Sequence, residues 1–172
     1  MSQKTSAERT ASSCWYTNGL RVRYQETDQM AIVYHANYLN WFEMGRTEFI
    51  RQFGFTYRSM EEKGVLLPVI DLNIQYKRPA LYDDLVAVFT RVIRFNPLRL
   101  DFEYEVRRWP SDSEGEPGLD TLDKKWPVDR ELPGELLVTG ASSHAWVTKE
   151  MKPLRLDKTL PELYNILKEQ IL

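Results

Sequence analysis

Asp28 stands in the stretch ETDQMAIVYHANYLNWFE, just before the apolar segment MAIVY and seven residues before His35. A carboxylate there can activate water or attack a carbonyl carbon itself. It then needs hydrogen-bond donors opposite it, to hold the charge that builds on the carbonyl oxygen. Donors are at hand if a helix starts near His35 and Ala36, because the first N–H groups of a helix have no intrahelical acceptor and sit at the positive end of its dipole. The plainer duty for Asp28 is to hold a turn. The His35 side chain reads as structural. Ser142-Ser143-His144 resembles a serine–histidine pair, but no nucleophile-elbow glycines flank the serines. A Ser142–His144 contact two residues apart on a strand is awkward, so the segment reads as strand. Glu43 and Arg46, one helical turn apart, read as a helical ion pair, with a bridge between subunits as the other role open to them. Lys77-Arg78 closes a strand, either as a plain solvated strand end or as positive charge offered to phosphate groups. There is no Gly-rich phosphate loop, metal-ligand cluster or nucleotide fingerprint.

The elements that would position these residues follow from periodicity. LRVRYQ, Leu20 to Gln25, alternates as a half-buried strand does. From about Ala36 to Phe53 the period becomes helical, with Tyr38, Phe42, Gly45, Phe49 and Phe53 on one face. Trp41, Met44 and Ile50 widen that face, so the helix should be buried on several sides, with Gly45 admitting a close neighbour. A short helix is expected at about Tyr57 to Lys63, capped by Ser59 with Glu62 or by Thr56. Four long strands follow, in VLLPVIDLNIQYK, DDLVAVFTRVIRF, LRLDFEYEVRRW and ELLVTGASSHAWVTK, with FNPL as a hairpin turn. The acidic, Pro/Gly-rich stretch at about 110–134 reads as a long loop with Trp126 as its anchor. Residues 1–13 read as a flexible tail, and a C-terminal amphipathic helix is expected at about 160–171, with Thr159 and Glu162 at capping-box spacing. The fold class is α+β: one long helix against a curved antiparallel sheet of about five strands, in a single domain over 14–172. So few strands leave sheet edges open, which self-association would cover.

With 172 residues, 42% of them hydrophobic and 28% charged, the chain can bury a substantial core. Its formal net charge of -2 and scattered basic residues argue against a nucleic-acid partner. No apolar run has the length of a membrane span, and the polar start lacks a signal-peptide core. Cys14 is the only cysteine, so no intrachain disulfide can form. The expected location is the cytoplasm.

The strand followed by ETDQMAIVYHANYLNWFE, GRTE and then YKRPALYDDL resembles the hotdog-fold acyl-CoA thioesterases of the YbgC and hydroxybenzoyl-CoA thioesterase type. The resemblance covers roughly Leu20 to Trp109 and Glu135 to Lys149. It implies a hotdog fold, a homodimer or homotetramer with active sites at the dimer interface, and hydrolysis of an acyl-CoA to a free acid and CoA. Asp28 would then be general base or nucleophile and the His35 backbone amide the oxyanion donor. Tyr34, Asn37 and Tyr38 would shape the site, and Lys77 and Arg78 would meet CoA. No metal or redox cofactor is expected; CoA enters as part of the substrate. Two departures from the family pattern stand out: Met30-Ala31, where many members have glycine in the turn, and the long 110–134 loop. Two other functions suit such a fold, an enoyl-CoA hydratase or dehydratase with a histidine base and a non-catalytic acyl-CoA binder. The Asp–His spacing fits the first poorly, and a pure binder has no need of Asp28.

Overall fold

The computed structural model describes residues 11–110 and 124–171. Most of the expected tail, the middle of the acidic loop and Leu172 lie outside them. Six strands form one antiparallel sheet: β1 (Cys14–Arg21), β2 (Val69–Tyr76), β3 (Leu85–Asn96), β4 (Arg99–Arg108), β5 (Lys125–Pro127) and β6 (Glu135–Ala145). Their spatial order is β2-β6-β4-β3-β1-β5. Among the described residues four α-helices complete the fold: α1 (Asn37–Arg51), α2 (Tyr57–Glu62), α3 (Leu156–Thr159) and α4 (Pro161–Ile171). The β3–β4 turn falls at FNPL, where Asn96 Oδ1 accepts hydrogen bonds from the amides of Leu98 and Arg99, both at 2.9 Å. Register shifts in the β2–β6, β3–β4 and β4–β6 pairings mark bulges of the kind that bend strands.

Three expectations need correction. The first strand is Cys14–Arg21 and not Leu20–Gln25, because after Arg21 the chain leaves the ladder for a 3-10 turn at Tyr24–Glu26. CWYTNGLR does not alternate in polarity because Trp15 and Tyr16 enter separate clusters, on a sheet covered on both faces there. Order also begins before residue 14: Ser12 is buried, and its amide donates to the Val92 carbonyl at 2.8 Å. The loop contributes a sixth strand, β5, paired with β1. It is held by Trp126, which packs with Trp15, Ala87, Phe89 and Leu132 as a second small core. Of the two caps open to α2, Thr56 is the one used, reciprocally with Ser59.

The main core lies between α1 and the sheet. Tyr38, Trp41, Phe42, Gly45, Phe49 and Ile50 are all buried on α1, so the helix is enclosed over a wide arc, as its composition predicts. Phe42 stacks on Tyr104 of β4 with ring centroids 4.3 Å apart. Two glycines make this approach possible. A Cβ on Gly45 would lie 2.3 Å from Thr90 Oγ1, and one on Gly140 of β6 would lie 2.4 Å from the Phe42 ring. Leu163, Leu167 and Ile171 of α4 close the far end.

The N-terminal end of α1 is fastened through Glu26, which is 6% exposed. Its carboxylate accepts from the Arg23 amide at 2.8 Å and from the Trp41 indole N–H at 3.0 Å. Its carbonyl accepts from the Tyr34 amide at 2.9 Å and the Asn37 side-chain amide at 2.8 Å. Burial pushes the Glu26 carboxyl up, but the Arg23 amide, the Trp41 indole and the Arg23 guanidinium together hold it below the ordinary value. Stabilisation from a carboxylate with a depressed folded pKa is present above the unfolded pKa of about 4.3 and is lost as pH falls through the folded value.

Two predictions follow from this packing. Gly45→Ala should lower unfolding free energy by about 1–3 kcal/mol despite alanine's better helix propensity, and adding Thr90→Ala should recover much of that loss in urea titrations. Glu26→Gln should cost about 1.5–3 kcal/mol at pH 7, the worth of hydrogen bonds to a charged group, with a smaller difference from wild type near pH 3.

Candidate active site

Asp28 sits in a tight reversal of the chain between Thr27 and Val33, which bridge each other. The Asp28 amide donates to the Ile32 carbonyl and the Ala31 amide to the Asp28 carbonyl, both at 2.9 Å. One carboxylate oxygen, Oδ1, accepts from the Met30 amide at 2.8 Å. Asp28 therefore does hold a turn, and the other oxygen, Oδ2, makes no hydrogen bond among the described residues. Ala31 adopts φ 61°, the left-handed region, so the stretch that departs from glycine does so at a position where glycine is at ease. An L-residue there costs about 1–2 kcal/mol. The reversal is tied to the rest of the fold by Val33, whose amide donates to the Ala80 carbonyl at 2.9 Å, while the Ala80 amide donates to the Tyr38 hydroxyl at 2.9 Å.

The start of α1 supplies the donors. No side chain caps the helix at Ala36. The amides of His35 and Ala36 have no acceptor among the described residues, yet both peptide planes are fixed. The Tyr34 carbonyl accepts from the Asn37 amide at 2.9 Å, and the His35 carbonyl accepts from the Tyr76 hydroxyl at 2.9 Å. In a trans peptide the N–H points opposite its own carbonyl, so these two bonds aim the His35 and Ala36 amides respectively. Uncommitted, oriented N–H groups at a helix N-terminus favour negative charge.

A groove of about 230 Å³ brings Asp28, His35, Tyr38, Lys77 and Arg78 together. Met30, Ile32, Val33, Tyr76 and Pro79 supply its remaining wall. Tyr38 is buried, and its ring meets those of Trp41 and Tyr76. At the rim, the Lys77 ammonium donates to Gln75 at 2.9 Å and Arg78 pairs with Glu135 at 3.1 Å. The other two candidates lie outside this lining. Tyr34 is 45% exposed and its ring meets the His35 ring at a tilt, with centroids 4.2 Å apart, and the Asn37 side chain is committed to the Glu26 carbonyl. Sequence reasoning missed Glu26, which fastens the site, and Tyr76, which fixes the His35 carbonyl. An aromatic next to Lys77-Arg78 was the one signal for Tyr76, and in a strand it reads as ordinary packing.

The Ser142–His144 contact judged awkward from the strand pattern is present. Ser142 Oγ lies 2.7 Å from His144 Nε2 and 2.7 Å from the Tyr104 hydroxyl. All three are buried in the interior. Burial, reinforced by the Arg46 charge, pushes the His144 imidazole down to about 4, so it is neutral at pH 7. Among the described residues, no group of three or more His, Cys, Asp or Glu side chains is placed to hold a metal ion. No helix among them is long and apolar enough to cross a membrane.

Comparison with known proteins identifies the family. Residues 22–117 match the family model of the thioesterase-like superfamily. The chain is 40% identical over 147 residues to the putative acyl-CoA thioesterase YneP of Bacillus subtilis, covering 85% of this chain and 90% of that one. It is 39% identical over 90 residues to the acyl-CoA thioesterase YbgC of Haemophilus influenzae, covering 52% of this chain and 66% of that one. In structure it is similar to the DHNA-CoA thioesterase of Staphylococcus aureus, with a TM-score of 0.73 and 31% identity over 90% of this chain and 89% of that one. A long helix laid on an antiparallel sheet, with the Asp28 reversal at the helix N-terminus and these likenesses in sequence and structure, makes this chain a hotdog-fold member of the thioesterase-like superfamily.

Proposed function

We propose that the protein hydrolyses an acyl-CoA thioester, adding water across the C–S bond to release a carboxylic acid and CoA. The observation that carries this reading is one groove lined both by Asp28, whose carboxylate keeps an unbonded oxygen, and by His35, whose amide has no acceptor among the described residues. With the thioester carbonyl between them, Asp28 either takes a proton from the attacking water or attacks the carbonyl carbon itself. The carbonyl oxygen becomes an oxyanion and is held by the His35 N–H, a donor of the kind worth about 2.7–4 kcal/mol in the transition state. Collapse expels the CoA thiolate, which takes up a proton; where Asp28 is the nucleophile, water then hydrolyses the acyl–Asp28 anhydride to release the acid and restore the carboxylate. The groove wall from Met30, Ile32, Val33 and Tyr38 excludes water from the acyl side. Lys77 and Arg78 at the rim meet the CoA phosphates, and Tyr34 and Asn37 support the site from behind by holding the helix start. The reading calls for no metal or redox cofactor.

The same reading includes a homodimer or homotetramer. Its support is β2, an edge strand exposed along nearly all its length, with Val69, Ile70 and Leu72 among the exposed apolar residues. Such an edge invites pairing with another copy. The same reading includes a cytoplasmic location, with which the lone, free cysteine is compatible.

Asp28→Asn should reduce kcat by about 100-fold or more on a panel of acyl-CoA thioesters, with an unchanged melting temperature showing that the turn is intact. Undiminished turnover in that folded variant overturns the assignment. Lys77→Gln should raise KM for acyl-CoA severalfold at low ionic strength with kcat little changed. That difference should shrink in 0.5 M salt, because exposed charge pairs are screened over about 3–10 Å in this range.

A further inference from the structure

Phenol groups in the interior of this fold differ in what their hydroxyls meet. Those of Tyr57 and Tyr104 share the Arg46 guanidinium, and Tyr104 also pairs with Ser142 at 2.7 Å. Tyr38 is 2% exposed, and its hydroxyl oxygen accepts from the Ala80 amide at 2.9 Å. A hydroxyl is a donor as well as an acceptor, and the Tyr38 hydrogen finds no acceptor among the described residues. A buried donor left unpaired is costly, so this one calls for an acceptor that comes from outside the chain.

The place from which an acceptor can come is the Asp28 groove, which Tyr38 lines together with Asp28 and His35. The Tyr38 ring lies against those of Trp41 and Tyr76, with centroids 4.8 and 5.6 Å away. Its oxygen is pinned by the Ala80 amide, and the Ala80 carbonyl in turn holds the Val33 amide of the Asp28 reversal. Ring and oxygen are thus fixed, and only rotation about the C–O bond aims the hydrogen. A donor set in this way needs no reorganisation when charge develops beside it. Burial pushes the phenol above its ordinary value, so the hydroxyl keeps its proton at neutral pH.

We propose that Tyr38 is a further catalytic residue, whose hydroxyl donates to the thioester carbonyl oxygen and, with the His35 amide, holds the oxyanion. The inference rests on the thioesterase reading. Of the atoms at the reacting centre, the carbonyl oxygen is the acceptor on which negative charge grows, whereas sulfur accepts only weakly. The hydroxyl keeps its hydrogen throughout, and Asp28 remains the base or nucleophile.

Tyr38→Phe removes the donor and keeps the ring. On acyl-CoA thioesters kcat should fall by about 10–100-fold, with KM raised by no more than about fivefold. Binding of two unreactive CoA derivatives, measured by calorimetry, reads the contact itself. One is the ketone in which a methylene replaces the thioester sulfur, and the other is the S-alkyl thioether of equal length, which lacks the carbonyl. The wild type should bind the ketone about fivefold more tightly, and Tyr38→Phe should lose most of that preference. A tyrosine that only packs would leave it unchanged. An undiminished kcat, or a ketone preference that survives in the folded variant, overturns the proposal.

Tyr38→Phe also strips the Ala80 amide of its acceptor, so thermal melts check the fold. If that variant does not fold, replacing Tyr38 with 3-fluorotyrosine decides the matter. The fluorinated phenol keeps the oxygen that Ala80 binds and is a stronger donor, so kcat should rise about twofold. An unchanged or lower kcat then overturns the proposal. If the wild type hydrolyses no thioester, the thioesterase reading fails separately, and the ketone and thioether pair decides on Tyr38 alone. A preference present in the wild type and lost in Tyr38→Phe sustains the contact; one that is kept, or absent from the wild type, overturns it.

Discussion

The buried carboxylate of Glu26 is the constraint on which the candidate site depends. Through its side chain it binds the Arg23 amide and the Trp41 indole, and through its carbonyl the Tyr34 amide and the Asn37 side chain. One residue thus joins the end of the first strand, the Asp28 reversal and the first turns of α1. A carboxylate in the interior is costly unless hydrogen-bonded. That cost makes the joint specific, since any slippage of α1 along the sheet would leave the charge unpaired. Asp28 and His35 line one groove, and both lie a few residues from this joint.

The helix can approach the sheet closely enough to be held this way because two side chains are missing. Gly45 lets Thr90 of β3 come against the helix, and Gly140 lets the Phe42 ring lie flat over β6 and stack on Tyr104. Phe42, Tyr104, Tyr38 and Trp41 belong to one hydrophobic core, so this close approach and the start of α1 share the same packing. The strain at Ala31 is tolerated in this setting. An unfavourable backbone conformation persists only where surrounding bonds determine it, and here the bridge between Thr27 and Val33 does so.

Burial separates groups of similar type into different duties. Asp28 and Asp101 are both aspartates, yet one lines a groove and the other is buried beside Arg94. Ser142 and His144 have the geometry of an activated hydroxyl, at 2.7 Å, but sit in the core with a neutral imidazole and pair with Tyr104. Asp28 is half-buried, in a groove that a substrate can enter.

The α+β class, the long helix with its wide apolar face, the FNPL hairpin and Asp28 as a carboxylate in a turn before that helix were all legible in the residues. Local periodicity and turn chemistry act between near neighbours in the chain. Asp28, His35, Tyr38, Lys77 and Arg78 were nominated from the sequence and share one groove. The first strand was misplaced because CWYTNGLR packs on both faces and so carries no alternation. β5 was hidden because three residues inside a polar loop pair with a strand more than a hundred positions earlier.

Glu26, Tyr76 and the pairing of Ser142 with His144 were decided by tertiary structure alone. Glu26 reaches Trp41, and Tyr76 reaches the His35 carbonyl 41 residues back. The chain by itself determined which groups are available for chemistry, because residue type sets what a group can donate, accept or ionise. Which of them meet, and whether water and substrate can reach them, was set by the approach of α1 to the sheet, because contacts between distant segments form only once the core has closed.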